Sequence, residues 1–275
     1  MLLKKILSKF GIFSLIVLLI SIWSFLIEPS LLKEQRIESS KWKGSSIRIV
    51  FFSDLHAGAP HINEKYISDL VLRINLLKPD VILIGGDLVI NGVIGGSPIA
   101  INKIGEMLSK LEARLGVFAV LGNHDWWNDS ASIIKSLKSA GIIILENKSV
   151  VLDHKGYKFS VVGVGDAYTN HADFKLAIKE VPEGQQVVLF MHDPSVLLEI
   201  RQKFYFAFAG HMHGGQIFIP GYGAIITPGD APKDWADGWV NSEFGKIYVS
   251  KGIGTSIVPV RLNALPEYVV LDLTS

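Results

Sequence analysis

The sequence predicts an α/β fold: two packed mixed β-sheets flanked by helices and preceded by an N-terminal hydrophobic helix. Three observations lead there. Residues 47–54, 81–87, 117–125, 187–193 and 206–215 are short, continuously apolar runs rich in Val, Ile and Phe, the pattern of strands buried on both faces. Segments with helical periodicity separate the first three of them. Two more β-rich runs, 142–152 and 157–164, meet at the turn sequence Asp153-His154-Lys155-Gly156 and read as a hairpin.

Taken in order, the chain starts with an uncharged apolar run over residues 10–27. Its eighteen residues would span about 27 Å as a helix, close to the hydrocarbon thickness of a bilayer. Lys4, Lys5 and Lys9 precede it, which favours a cytoplasmic N-terminus and sends the following domain outward. A helix lying only part-way into the inner leaflet would instead keep that domain in the cytoplasm. The end of the run lacks the small residues of a cleavage site, so residues 1–28 read as an uncleaved membrane anchor rather than a cleaved signal peptide. Residues 29–46, with Lys33, Glu34, Arg36, Lys41 and Lys43, read as a polar linker, and 47–275 as the globular domain.

Within that domain, Ile67, Leu70, Val71, Ile74 and Leu77 fall on one face of a helix over 62–77. Ile104, Met107, Leu108 and Leu111 do the same in a second. Residues 130–140 form a third, capped by Asp129 or Ser130 and stopped by Gly141. Residues 217–273 carry glycine, proline and β-branched residues without helical periodicity and are expected to complete a second, mostly antiparallel sheet.

Composition narrows the chemistry. Lysine and arginine number 27 against 26 acids, a net charge of +1, so no nucleic acid is expected as a partner. With no cysteine, disulfides, thiolate ligands and a cysteine nucleophile are excluded. Any metal must be held by nitrogen and oxygen.

Each of the five apolar strands ends in groups able to ligate metal. They are Asp54 and His56, then Asp87, then Asn123 and His124, then His192, then His211 and His213. Ligands of open α/β sheets collect beyond the carboxyl ends of the strands, so parallel strands would bring all five ends to one edge. His211 and His213, two apart in an extended segment, point the same way, and the surrounding glycines keep side-chain bulk out of the space. His61, His154 and His171 lie in loops and are expected at the surface. Asp193 precedes Pro194 as an N-cap would. Asp166 suits either a turn or the site. The pairs Trp126/Trp127 and Trp235/Trp239 suit ordinary packing, or respectively a lip for an acyl chain or base and a bilayer contact.

The ordered set D-x-H (54–56), G-D (86–87), G-N-H-D (122–125), a lone His192 and G-H-x-H (210–213) resembles the calcineurin-like metallophosphoesterase family. GGQ (214–216) and the segment GIGTSIVPVRLNALPEY (252–268) look like a bacterial, membrane-associated branch of it. That branch includes phosphodiesterases and UDP-2,3-diacylglucosamine pyrophosphatases. The resemblance implies a bacterial inner or plasma membrane location and two adjacent divalent ions. Asp54, His56, Asp87 and His213 would hold the first; Asp87, Asn123, His192 and His211 the second, with Asp87 bridging. Imidazole, carboxylate and amide donors favour Mn²⁺, with Fe or Zn²⁺ as alternatives, over the more oxygen-seeking Ca²⁺ and Mg²⁺. The resemblance also makes His124 the group that protonates the leaving oxygen or stabilises the transition state, with Asp125 holding its other ring nitrogen. The implied activity is hydrolysis of a phosphodiester or pyrophosphate by water activated on the ions. The leading substrate is UDP-2,3-diacylglucosamine, giving lipid X and UMP in lipid A synthesis. A general envelope phosphodiesterase is the alternative, and a non-catalytic scaffold the third reading.

Overall fold

The computed structural model describes residues 2–275, with side chains from residue 11 onward; the side chains of Lys4, Lys5 and Lys9 lie outside the described residues. Helix α1 (Leu2–Ile22) runs on through a wider turn, Trp23–Ile27, and a tight one, Glu28–Ser30. From Gly11 to Ser30 it is long and apolar enough to cross a membrane, and most of its side chains are exposed. Its foot is fastened to the rest of the chain. Ser24 O accepts from Arg261 N at 2.9 Å, Glu28 Oε1 from Ala264 N at 2.7 Å, and Phe25 O meets the His61 ring at 2.9 Å.

The strands in chain order begin with β1 (Lys33–Ser39), β2 (Ile47–Phe52), β3 (Val81–Gly85), β4 (Val117–Val120), β5 (Ile143–Ile144), β6 (Lys148–His154) and β7 (Tyr157–Val164). They continue with β8 (Val187–Met191), β9 (Phe206–Ala209), β10 (Phe218–Ile219), β11 (Gly223–Ala224), β12 (Gly238–Val240), β13 (Lys246–Val249) and β14 (Glu267–Leu273). One six-stranded sheet has the order β1-β14-β2-β3-β4-β5, the other β12-β13-β9-β8-β7-β6. In the first, β2 to β5 are parallel and β14 is antiparallel to β2; in the second, β13, β9, β8 and β7 are parallel between antiparallel edges.

The pleat explains why the strands lack polar alternation. Ile49, Phe51, Leu83 and Phe118 point into the layer between the sheets, against Phe159, Val188, Phe190 and Phe208. Val50, Phe52, Ile82 and Ile84 point the other way, under α2 (Glu64–Leu76), α3 (Ile101–Leu108) and the helix Ser130–Ser139. Both faces are covered, so every second residue has no reason to be polar. The helix faces expected from sequence are the buried ones, Ile67, Leu70, Val71 and Ile74 in α2 among them. Asp129 caps the third helix by accepting from Ser132 N, and Gly141 follows it at φ +80°.

Two expectations are corrected. Residues 29–46 are not a free linker: 33–39 form β1, an edge strand parallel to β14, and Trp42 is buried edge-on against Tyr157, Phe159 and Tyr205. Being an edge strand, β1 is held by main-chain bonds and leaves Lys33, Arg36 and Glu38 exposed, so it carries no apolar alternation to read. Residues 217–273 do not build a mostly antiparallel sheet. They add β12 and β13 to a largely parallel one, while β14 crosses to the other sheet and inserts between β1 and β2.

Candidate metal centre

The carboxyl ends of β2, β3, β4, β8 and β9 meet along one rim between the sheets. Asp54, His56, Asp87, Asn123, His192, His211 and His213 all gather there, and all are buried. Asp87 stands at the middle. Its Oδ2 lies 3.3 Å from His192 Nε2 and 3.6 Å from His56 Nε2. On one side, His213 Nε2 is 3.4 Å from Asp54 Oδ1 and 3.2 Å from His56 Nε2. On the other, His192 Nε2 is 3.0 Å from both Asn123 Oδ1 and His211 Nδ1. Donor atoms of Asp54, His56 and His213 lie within 4.8 Å of one another, as do those of Asp87, His192 and His211.

The chain strains its backbone to achieve this. Asp54, His56, Asp87, His211 and His213 all have positive φ, between +43° and +68°, a conformation that side-chain-bearing residues adopt rarely. Neighbouring backbone must come close as well: a Cβ on Gly122 would collide with Asp87 Oδ1.

Electrostatics and the donor set fit divalent cations. Burial pushes His56 and His211 down to about 3 and His213 well below its usual range, so these rings are neutral with lone pairs free. Burial opposes charge on His192 too, but Asp87, Asp54 and Asp166 outweigh it and raise its pKa well above normal. Burial likewise works against the Asp87 carboxylate, yet the surrounding His192, His56 and His124 hold it below the usual carboxylate range. His192 and Asp87 thus favour each other's charged form, while burial raises Asp54 to about 6. His56 and His213 face each other nitrogen to nitrogen, as do His192 and His211, and each pair can share only one proton. Among the described residues, the buried His211 Nε2, His213 Nδ1 and His124 Nδ1 have no protein partner. Imidazole, carboxylate and amide donors converging in this way suit borderline divalent ions.

Sequence comparison decides the family, because residues 47–215 match the calcineurin-like phosphoesterase profile. The chain belongs to the calcineurin-like phosphoesterase family. It is 30% identical to the metallophosphoesterase YkuE of Bacillus subtilis, over 83% of this chain and 79% of that one. It is 30% identical to phosphodiesterase YaeI of Escherichia coli over 86% of each chain. A transmembrane protein with a metallophosphoesterase domain from Bos taurus is 28% identical over 83% of this chain and 53% of the relative. A metal-dependent phosphoester hydrolase is thereby established.

Around the phosphoesterase centre, Asp125 departs from expectation. Its Oδ1 accepts from Leu88 N at 2.9 Å and its Oδ2 from Gly122 N at 3.1 Å, and no hydrogen bond joins it to the His124 ring. Side chains at i and i+1 diverge in a helical turn, so Asp125 braces the two loops that carry Asp87 and Asn123 instead. Burial and the charge of Asp87 push it up to about 7. The ring partner of His124 is Ser256 Oγ, 3.3 Å from Nε2. Gln216 clamps that loop, accepting from Ser256 N at 2.6 Å and donating to Val258 O at 3.1 Å. Neither was legible beforehand, since no periodicity links residues 124, 216 and 256. Arg261, fully buried, donates to the carbonyls of Lys251, Gly252 and Gly254, and Gly254 N in turn donates to Asp54 O at 2.7 Å. It props the strip behind Asp54.

The remaining candidates fall outside the cluster. Asp193 caps the turn Pro194–Leu198 by accepting from Ser195 N. Asp166 accepts from Thr169 N and Oγ1, a turn role. Trp126 stacks on His171 with centroids 3.6 Å apart, whereas Trp127 stays half-exposed against His124. Trp235 packs against the outer core of the second sheet and Trp239 lies over Phe206 and Tyr248. His61 and His171 keep partial or full exposure, but His154 is buried with its ring at Ser46 O, because it ends β6 on the covered face.

Proposed function

We propose that this chain is a membrane-anchored, dinuclear-metal phosphodiesterase or pyrophosphatase. The carrying observation is Asp87, one carboxylate shared between two sets of donors. Asp54, His56, Asp87 and His213 would hold one ion; Asp87, Asn123, His192 and His211 the other, with Mn²⁺ as the first choice. When bound, two divalent ions supply positive charge for the phosphoryl oxygens and acidify water. The chain's own residues do the rest. Asp54 and Asp87 cancel only part of the charge of two divalent ions, and Asn123 cancels none, so the site favours an anionic phosphoryl group. His124, whose pKa burial lowers, stands beside the cluster with Ser256 Oγ 3.3 Å from its Nε2, where it would stabilise the negative charge that develops on the leaving oxygen. Asp125 keeps the Asp87 and Asn123 loops in register and takes no part in proton transfer.

The N-terminal helix would anchor the domain in a bacterial inner or plasma membrane, with residues 33–39 built into the domain rather than serving as a tether. UDP-2,3-diacylglucosamine is the leading substrate, cleaved at its pyrophosphate to release UMP. That substrate requires the cytoplasmic face, whereas the lysine flank of the helix favours the outer one. An envelope phosphodiesterase is the second reading, favoured by the 30% identity to phosphodiesterase YaeI. Purified full-length protein with added Mn²⁺ is expected to hydrolyse bis(p-nitrophenyl) phosphate. Fully metallated protein without turnover would reject the hydrolase reading, and failure to rescue a strain lacking the UDP-2,3-diacylglucosamine hydrolase would reject that substrate.

A further inference from the structure

The centre opens into a cavity of about 670 Å³, part of whose lining carries no metal-binding group. Trp127, Ile225, Ile226, Pro228, Ile257 and Val258 form that part of the wall. Ile226 is 75% exposed and Ile257 66%, so the wall offers apolar surface that folding has left uncovered.

This wall is built rather than loose. Ile257 sits at φ +60°, a genuine outlier for a β-branched residue. The chain holds it there with the Gln216 clamp on either side and with Ile94 N donating to Ile257 O at 2.9 Å. Strain kept to hold an isoleucine outward is the mark of a surface that meets something. Position says what. Three residues after Val258, Arg261 N is bonded to Ser24 O at the foot of the apolar helix. Three residues reach about 10 Å at most, so the trough lies next to the point where the helix leaves the domain. A cavity polar at its ligand end and apolar at the other, beside a helix of membrane-spanning length, matches an amphiphile with a phosphoryl head and a hydrocarbon tail.

We propose that the Ile225–Ile226 and Ile257–Val258 wall is a subsite for the hydrocarbon chain of a membrane lipid phosphoester, whose phosphoryl group lies at the Asp87 centre. The proposal rests on the hydrolase reading above and specifies what that site takes. The test is a series of p-nitrophenyl n-alkyl phosphodiesters from ethyl to octyl, hydrolysed by full-length, Mn²⁺-loaded protein. Burial of the added methylenes is expected to raise kcat/KM about tenfold or more across the series, chiefly through KM. In the double variant Ile226→Glu, Ile257→Glu the octyl-to-ethyl ratio should collapse toward one; being a ratio, it is insensitive to the fraction of protein that folds. A flat response in the native chain, with bis(p-nitrophenyl) phosphate still hydrolysed, overturns the subsite alone. A ratio unchanged in the double variant also overturns it. Absence of turnover on every ester overturns the hydrolase reading itself, and the subsite with it.

Discussion

The two walls of the same cavity are made in opposite ways. The ligand wall consists of tight turns directly after five buried strands, anchored by those strand ends, and its side chains are all buried. The apolar wall consists of loops around 225 and 257, held by one glutamine side chain and a few main-chain bonds. Chemistry needs donors fixed to fractions of an ångström, and rigid strand ends provide that. A hydrocarbon chain needs only surface, and loops can vary it without disturbing the sheets.

The sharpest way to break this contrast is Asp87→Asn. The amide can still accept from His124 N, so the fold should persist while the second ion is lost. Turnover is expected to fall about 10³-fold, the equivalent of several kcal/mol of transition-state stabilisation, with metal content measured by elemental analysis. Undiminished metal content would mean that Asp87 is not the shared ligand. Next, His124→Ala should lower kcat about 10²-fold while leaving metal content intact. Loss of metal together with kcat would make it a ligand instead of a group that stabilises the leaving oxygen.

Asp125→Ala separates a brace from a catalytic partner. Stripping Leu88 N and Gly122 N of their acceptor should cost about 1–3 kcal/mol of stability, seen as a lower denaturation midpoint. If the pH dependence of kcat moved in step with stability unchanged, the sequence-derived orienting role would return.

The smallest expected effect is one of pH. Glu146 accepts from Leu121 N at the end of β4, at 2.6 Å, and burial pushes its pKa up to about 7. A carboxyl that binds its proton more tightly when folded contributes stability that is lost as pH rises from its unfolded value toward 7. Glu146→Gln should therefore flatten the decline in stability between about pH 4.5 and 7, measured by urea denaturation. A slope identical to the native chain's would show that this end of the ligand wall is wetter than its burial suggests.

Legibility in the sequence follows the same division. The ligand wall could be read because each apolar run stops at a polar residue, and parallel strands carry those stops to one edge. The resemblance implies an Asp125 that holds the His124 ring, but side chains at i and i+1 diverge within a helical turn, and its carboxylate meets Leu88 N and Gly122 N instead. The strand β1 escaped notice because an edge needs hydrogen bonds more than hydrophobic side chains. Ser256 and Gln216 were invisible for a deeper reason: their partners are set by tertiary loop packing, which leaves no local period.

One piece of topology has a consequence for how the molecule is born. Glu267–Leu273 pairs on one flank with Lys33–Ser39 and on the other with Ile47–Phe52. Those two early segments emerge from the ribosome long before their common neighbour is synthesised. Throughout elongation they must stay unjoined, with the slot between them open, while the apolar helix ahead of them is already free to meet a bilayer. Final closure is therefore a late event, and chaperones or the translocation machinery have a half-made sheet to guard until then.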